Sequence, residues 1–235
     1  MNMGPLDAIV FDFDGVLADT EPLHFRAMVT VARTVGIELG WAEYLARYVG
    51  YEDADALRLM LGLPIGVDAD RDDQRIEALR LRKAAAFAAE VDAGVQTFPG
   101  VLELAREAAA AGTPLAIASG ATRREVDQVF RKLNITIAFD PIVTADRVAV
   151  SKPAPDSYRA ALAGIARRQD VQSLDPAACV AIEDTATGLT AARAAGLRTL
   201  GFATSGSPDA LRAADRIVTS MTTMTLADLR ALVRK

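Results

Sequence analysis

Apolar residues in this chain follow two alternating patterns. Short, nearly continuous apolar runs recur at residues 6–11 (LDAIVF), 114–118 (PLAIA), 178–182 (ACVAI) and 197–202 (LRTLGF). Strands buried on both faces of a parallel sheet read this way. Weaker runs at residues 141–144 (PIVT) and 216–219 (RIVT) extend the set. Between them, helical spacing predicts helices over residues 101–111, 123–133, 155–168 and 187–195. Gly112 and Gly196 stand where two of these helices should stop, with Pro114 just beyond the first. Strands alternating with helices predict an α/β fold, a doubly wound parallel sheet (Rossmann-like core) covered on both faces.

Residues 21–95 break that rhythm. They hold helical patterns at 24–35, 41–48, 54–60 and 71–89 and no convincing strand. Because they follow the first strand and its loop, they read as an all-helical insert, a cap over the C-terminal edge of the sheet. Phe98-Pro99-Gly100 returns the chain to the core. The expected division is therefore an α/β core of residues 1–20 and 96–235 and a helical cap of residues 21–95. The alanine clusters are helix filler, and no internal repeat is present.

Length supports that division, because 235 residues make one large domain or one domain with an insert at about 100–200 residues per domain. With 26 basic and 31 acidic side chains the net charge is −5, which argues against a nucleic-acid partner. No apolar run approaches the roughly 20 residues of a membrane span, and nothing near the N-terminus reads as a signal peptide. The one cysteine, Cys179, fits a reducing compartment. A soluble, cytoplasmic protein is expected, monomeric or weakly homo-oligomeric, with no nucleic-acid or membrane partner.

Chemistry concentrates at the predicted strand ends. Asp12 and Asp14 follow the first strand, and open α/β sheets bind ligands beyond the C-terminal ends of their strands. One carboxylate can act as a nucleophile and the other, if protonated, as an acid, with a hard cation relieving their repulsion. A solvated turn with helix-capping aspartates fits the same residues. Ser119-Gly120 follows the strand PLAIA, where a hydroxyl and exposed amides suit a phosphate oxygen or, equally, a helix cap. Lys152 lies in Ser151-Lys152-Pro153-Ala154-Pro155, whose prolines stiffen the loop that carries it. Glu183-Asp184 ends the strand ACVAI; adjacent acids there are costly unless they meet a cation or donors, and Asp184 can also cap the next helix.

Taken in order, DFDGVLADTE, IASGA, SKPAPD and VAIEDTATGL resemble the four motifs of the haloacid dehalogenase-like hydrolase superfamily. The resemblance spans the core and points to the branch of β-phosphoglucomutase and sugar-phosphate phosphatases with a helical cap. It implies a magnesium-dependent phosphatase acting on a small phosphorylated metabolite, a sugar phosphate or phospho-acid, through an aspartyl-phosphate. Asp12 would be the nucleophile and Asp14 the general acid/base, with Ser119 and Lys152 holding the phosphoryl group. Asp12, the Asp14 carbonyl and Asp184 would hold Mg2+, with Glu183 bound directly or through water. Gly120, Thr20, His24 and Lys83 would contact substrate. His24 matches a histidine of the mutase branch and Lys83 a cap lysine. Asp53, however, stands where the mutase has an arginine for a second phosphate, and Arg47 or Arg58 could replace it only by breaking the glycine spacing. That departure favours hydrolysis over a mutase. A non-catalytic binding protein on the same fold is a third reading, which the intact motifs disfavour.

Overall fold

In the computed structural model, which describes residues 6–65, 73–204 and 208–233, the chain divides into two compact units. One comprises Met1–Asp19 and Gln96–Lys235, the other Thr20–Val95. Among the described residues, no helix is long and apolar enough to cross a membrane.

Among the described residues, the first unit is built on six parallel strands: β1 (Ala8–Phe11), β2 (Leu115–Ala118), β3 (Ile142–Val143), β4 (Cys179–Glu183), β5 (Arg198–Phe202) and β6 (Arg216–Val218). Their order across the sheet is β3-β2-β1-β4-β5-β6. The chain thus moves outward from β1 to β3, returns to β1's other side at β4, and moves outward again. The reversal between β1 and β4 is the point where open sheets of this kind leave a crevice for ligands. Every strand read from the sequence forms. β4 runs one residue further than expected, because Glu183 finds a ladder partner in Gly201 of β5.

The apolar runs are continuous because both faces of the sheet are covered. Ala8, Val10, Ala116, Ala118, Cys179 and Ala181 share one buried cluster with residues of α7 (Asp156–Arg168) and α8 (Ala186–Ala194). The alternate residues point the other way, where Phe11 meets Phe139 edge-on at 5.6 Å. Helix α5 (Val101–Ala110) packs on β2 and on α9 (Leu226–Leu232), while α6 (Arg123–Leu133) brings Phe130 to Phe13 and Phe139. Ile9, Phe11, Ile117 and Ile182 are fully buried, each stabilising the fold by roughly 1.5–3 kcal/mol. The strand ends that carry the polar motifs are therefore anchored in a fully buried core. Helix α9 is absent from the sequence reading. Its signal was a reciprocal cap in which Thr225 and Asp228 exchange hydrogen bonds.

The second unit is helical: α1 (Glu21–Thr34), α2 (Trp41–Arg47), α3 (Asp53–Met60) and α4 (Asp73–Ala93). Residues 71 and 72 of the expected fourth helix lie outside the described residues. Helix α4 packs along α1 and against α3, and Met28, Val31, Leu57, Met60, Ile76 and Leu79 lie in its core.

Candidate active site

The main-chain ladder continues one residue past β1, since Asp12 N–H donates to Ile182 O at 2.9 Å. Strand alternation then turns Asp12 toward the same face as Val10. Glu183 follows Cys179 and Ala181 onto that face. Because β1 and β4 are parallel neighbours with Phe11 opposite Ile182, the two carboxylates emerge side by side. With Asp184 they form a buried group whose ligand oxygens lie within 4.8 Å of one another. Lys152, from the loop ahead of α7, enters this group. Its Nζ lies 3.0 Å from Asp12 Oδ1 and 2.6 Å from Glu183 Oε1, and only 11% of the side chain is exposed.

Three buried carboxylates facing one ammonium leave an excess of negative charge. Burial pushes the Asp12 carboxyl up to about 8; Glu183 adds to the rise, Lys152 opposes it, and Asp14 adds a smaller push. Burial alone would lower the Lys152 pKa, but the charges of Asp12 and Glu183 hold it above the ordinary lysine range. An all-oxygen, negatively charged donor set of this kind fits a hard divalent cation.

Two glycines make room for the acids. A Cβ on Gly15 (φ +74°) would fall 2.0 Å from Asp184 Oδ2, and one on Gly188 would fall 2.0 Å from the Glu183 carboxylate. Gly15→Ala should therefore displace Asp184 and strain a left-handed turn. We expect it to lower turnover by about 10²-fold, the scale of an ångström-sized misplacement, with the sheet intact by circular dichroism. Wild-type kinetics in this variant would show that Asp184's position is unimportant.

Two capping alternatives resolve against the acids and serines first considered. The cap of α8 is Thr185, whose Oγ1 accepts from Gly188 N–H at 3.1 Å, and Asp184 belongs to the acid group beside it. The cap of α6 is Thr122, in a reciprocal box with Glu125. Ser119, 2% exposed at the end of β2, instead accepts from Ala121 N–H at 2.9 Å through Oγ. Its hydroxyl proton is thereby oriented away from that contact. Gly120 is exposed, with open space where a Cβ would stand. Asp14 sits in the loop beyond Asp12, bridged to Ala18.

The helical unit holds a second polar cluster. Lys83 of α4 is 2% exposed, and its Nζ lies 2.6 Å from Asp53 Oδ1 and 2.7 Å from His24 Nδ1. His24 stacks on Phe87 at 4.2 Å. Thr20 is buried, and its carbonyl accepts from Leu23 and His24 N–H. Asp53, expected opposite a second phosphate, has the ammonium of Lys83 as its partner. Arg47 and Arg58 pair with Glu43 and Asp55 on their own helices.

The family model for haloacid dehalogenase-like hydrolases matches residues 9–202, which include all four strand-end motifs. The chain is a haloacid dehalogenase-like hydrolase. It is 37% identical over 202 residues to the protein CbbY of Rhodobacter capsulatus, covering 82% of this chain and 83% of that one. It is 30% identical over 193 residues to a phosphorylated carbohydrates phosphatase of Thermotoga maritima, covering 82% of each. Among solved structures, CbbY from Rhodobacter sphaeroides in complex with phosphate is similar, with 32% identity, a TM-score of 0.78, and coverage of 95% of this chain and 98% of that one. A mutant of the same protein has been solved with xylulose-(1,5)bisphosphate.

Three further residues of this hydrolase support the acids and were not picked out by sequence reasoning. Tyr158 donates to Glu183 Oε1 at 2.6 Å, Thr185 Oγ1 donates to Glu183 Oε2 at 3.2 Å, and Thr204 Oγ1 donates to Gly15 O at 2.8 Å. Tyr158 sits at helical spacing with Ala161, Leu162 and Ile165, which marks it as core and hides its hydroxyl. Thr185 offered a usable signal, a threonine three residues before Gly188 at the start of a helix.

Proposed function

We propose that this hydrolase removes the phosphoryl group from a small sugar phosphate or phospho-acid by way of a phosphorylated Asp12. An Asp12 oxygen attacks phosphorus as the bond to the leaving oxygen breaks, and Asp14 gives that oxygen its proton. Asp14, now ionised, then takes a proton from water as the water oxygen attacks the phosphorus of the aspartyl-phosphate, releasing phosphate and restoring Asp12. Ser119 Oγ–H and the Gly120 amide donate to the phosphoryl oxygens, and Lys152 balances their charge. Positioning and charge neutralisation supply most of the rate in such transfers. Mg2+ would be held by Asp12, the Asp14 carbonyl and Asp184 with Glu183 beside it, and when bound supplies positive charge to the phosphoryl group.

The observation that carries this reading is the buried contact of Asp12, Lys152, Glu183 and Asp184 at the switch point of the sheet. The helical unit is assigned the choice of leaving group. Its buried lysine is already neutralised by Asp53, so Lys83 and His24 offer hydrogen bonds suited to hydroxyls rather than an uncompensated charge for a second phosphate. That favours hydrolysis of monophosphates over a mutase, which must retain a bisphosphate. A bisphosphate substrate is a second reading, favoured by the xylulose-(1,5)bisphosphate complex of the Rhodobacter sphaeroides relative. A cytoplasmic, monomeric or weakly associated protein completes the proposal.

Phosphate release from a panel of sugar monophosphates, phospho-acids and bisphosphates, run beside β-glucose 1-phosphate with a bisphosphate primer, tests it. Release from a monophosphate at the highest kcat/KM is the expected result. Formation of glucose 6-phosphate faster than free phosphate would overturn hydrolysis in favour of the mutase.

A further inference from the structure

We propose that Tyr158 is a positioning residue for phosphoryl transfer: it fixes Glu183 as the counter-ion that holds Lys152 against Asp12. The proposal rests on the phosphatase reading above. Helix α7 starts at the C-terminal edge of the sheet, directly after the loop that carries Lys152, so its first turn lies level with the strand ends. Tyr158 opens the buried stripe that continues through Ala161, Leu162 and Ile165. Its cluster includes Val10, Ala116, Ala118 and Ala181, and the small alanines leave space for a full aromatic ring. The ring is completely buried, and a buried phenol needs a partner for its O–H.

The partner is Glu183 Oε1, which accepts from the Tyr158 hydroxyl at 2.6 Å and from Lys152 Nζ, also at 2.6 Å. The Lys152 ammonium in turn lies 5.3 Å from the centroid of the Tyr158 ring. Tyr158 therefore touches both members of the ion pair, the acid through its hydroxyl and the cation through its face. Glu183 Oε2 accepts from Thr185 Oγ1 at 3.2 Å, and only the missing side chain of Gly188 leaves the carboxylate its place. Both oxygens of Glu183 are thus engaged by protein donors. Such a carboxylate is oriented for the lysine, and the work of holding a cation falls to Asp12 and Asp184. A lysine has four rotatable bonds, so its Nζ stays near Asp12 only while its anchors stay fixed. Loss of the phenol frees Glu183 to turn and Lys152 to drift, which matters most as charge builds on the transferring group.

The test is Tyr158→Phe, which keeps the ring and removes the hydrogen bond, assayed with p-nitrophenyl phosphate and Mg2+. We expect kcat to fall about 10-fold, the scale of one charge-assisted hydrogen bond, with KM within about twofold and inhibition by orthovanadate weakened by a similar factor. Glu183→Gln should show the same pattern, and the double variant should lose little more than the larger single loss, because both act through one lysine. Binding of Mn2+ alone, followed by electron paramagnetic resonance, gives a readout independent of turnover: Tyr158→Phe and Glu183→Gln should bind nearly as wild type, whereas Asp184→Asn should not. A kcat within about twofold of wild type, a loss confined to KM with vanadate inhibition unchanged, or Mn2+ binding lost in Glu183→Gln as in Asp184→Asn would overturn the proposal. A wild-type protein that releases no phosphate would instead overturn the phosphatase reading, leaving the Mn2+ comparison to decide the role of Glu183.

Discussion

Asp12→Asn should lower turnover by about 10⁴-fold or more, the scale on which a lost covalent nucleophile is felt. Asparagine matches aspartate in shape, so the ladder bond from its N–H to Ile182 O is kept. What disappears is the carboxylate that meets both Lys152 and the Glu183–Asp184 pair. Because that carboxylate is buried among like charges, its loss should leave metal-free thermal stability near pH 8 unchanged or raised. A variant that is inactive yet no less stable separates a chemical defect from a folding defect. Asp14→Asn should also be impaired, by about 10²–10⁴-fold, as expected for a general acid/base. Near-normal steady-state rates in purified Asp12→Asn protein would refute the assignment of the nucleophile.

Removal of divalent metal should stop turnover altogether, and Mg2+ should restore it. Ca2+, larger and looser in coordination, should bind but support turnover poorly. The same site should give the metal-free protein a pH-dependent stability. Burial first, and then the charge of Glu183, raise the Asp12 carboxyl to about 8 in the folded protein, against about 3.9 when unfolded. The folded state therefore binds the extra proton between those values. This group's contribution falls as pH rises through the window, because stability decreases wherever the folded state holds more protons. A cation that binds the ionised carboxylates should offset the loss. The rise in Tm on adding Mg2+ should thus be larger near pH 8 than near pH 5, read by differential scanning fluorimetry. An equal or smaller shift near pH 8, or full activity after exhaustive chelation, would contradict a cation site at Asp12 and Asp184.

Much of this was legible in the sequence because the relevant forces act locally. Buried parallel strands need near-continuous apolar runs, so β1, β2, β4 and β5 announced themselves, and the polar residues just beyond them had to lie at the sheet edge. Lys152 stood out because prolines restrict its loop. Residues whose role depends on a distant partner were harder to read. Asp53 looked like a charge facing substrate, since nothing in its neighbourhood shows that Lys83, thirty residues away, neutralises it. Tyr158 obeyed the helical period of a core residue, and period carries no information about where a hydroxyl ends up. Asp184 and Thr185 are both good caps; only the backbone turn shows that the threonine takes the helix and leaves the aspartate for the acid cluster. Helix α9 is marked in the sequence by its Thr225–Asp228 cap more than by its seven-residue apolar period.

The most direct test of the account is to catch the phosphoryl group on the protein. Asp14→Asn enzyme, slowed in the water step by loss of its base, is mixed with Mg2+ and p-nitrophenyl phosphate, whose leaving group departs without a proton from Asp14, quenched in acid within the first turnover, and digested for mass spectrometry. A hydroxylamine-sensitive phosphate on the peptide carrying Asp12, absent when Asp12 is also replaced by Asn, is the expected result. Phosphate released during turnover with no phosphorylated Asp12 at any quench time would contradict it.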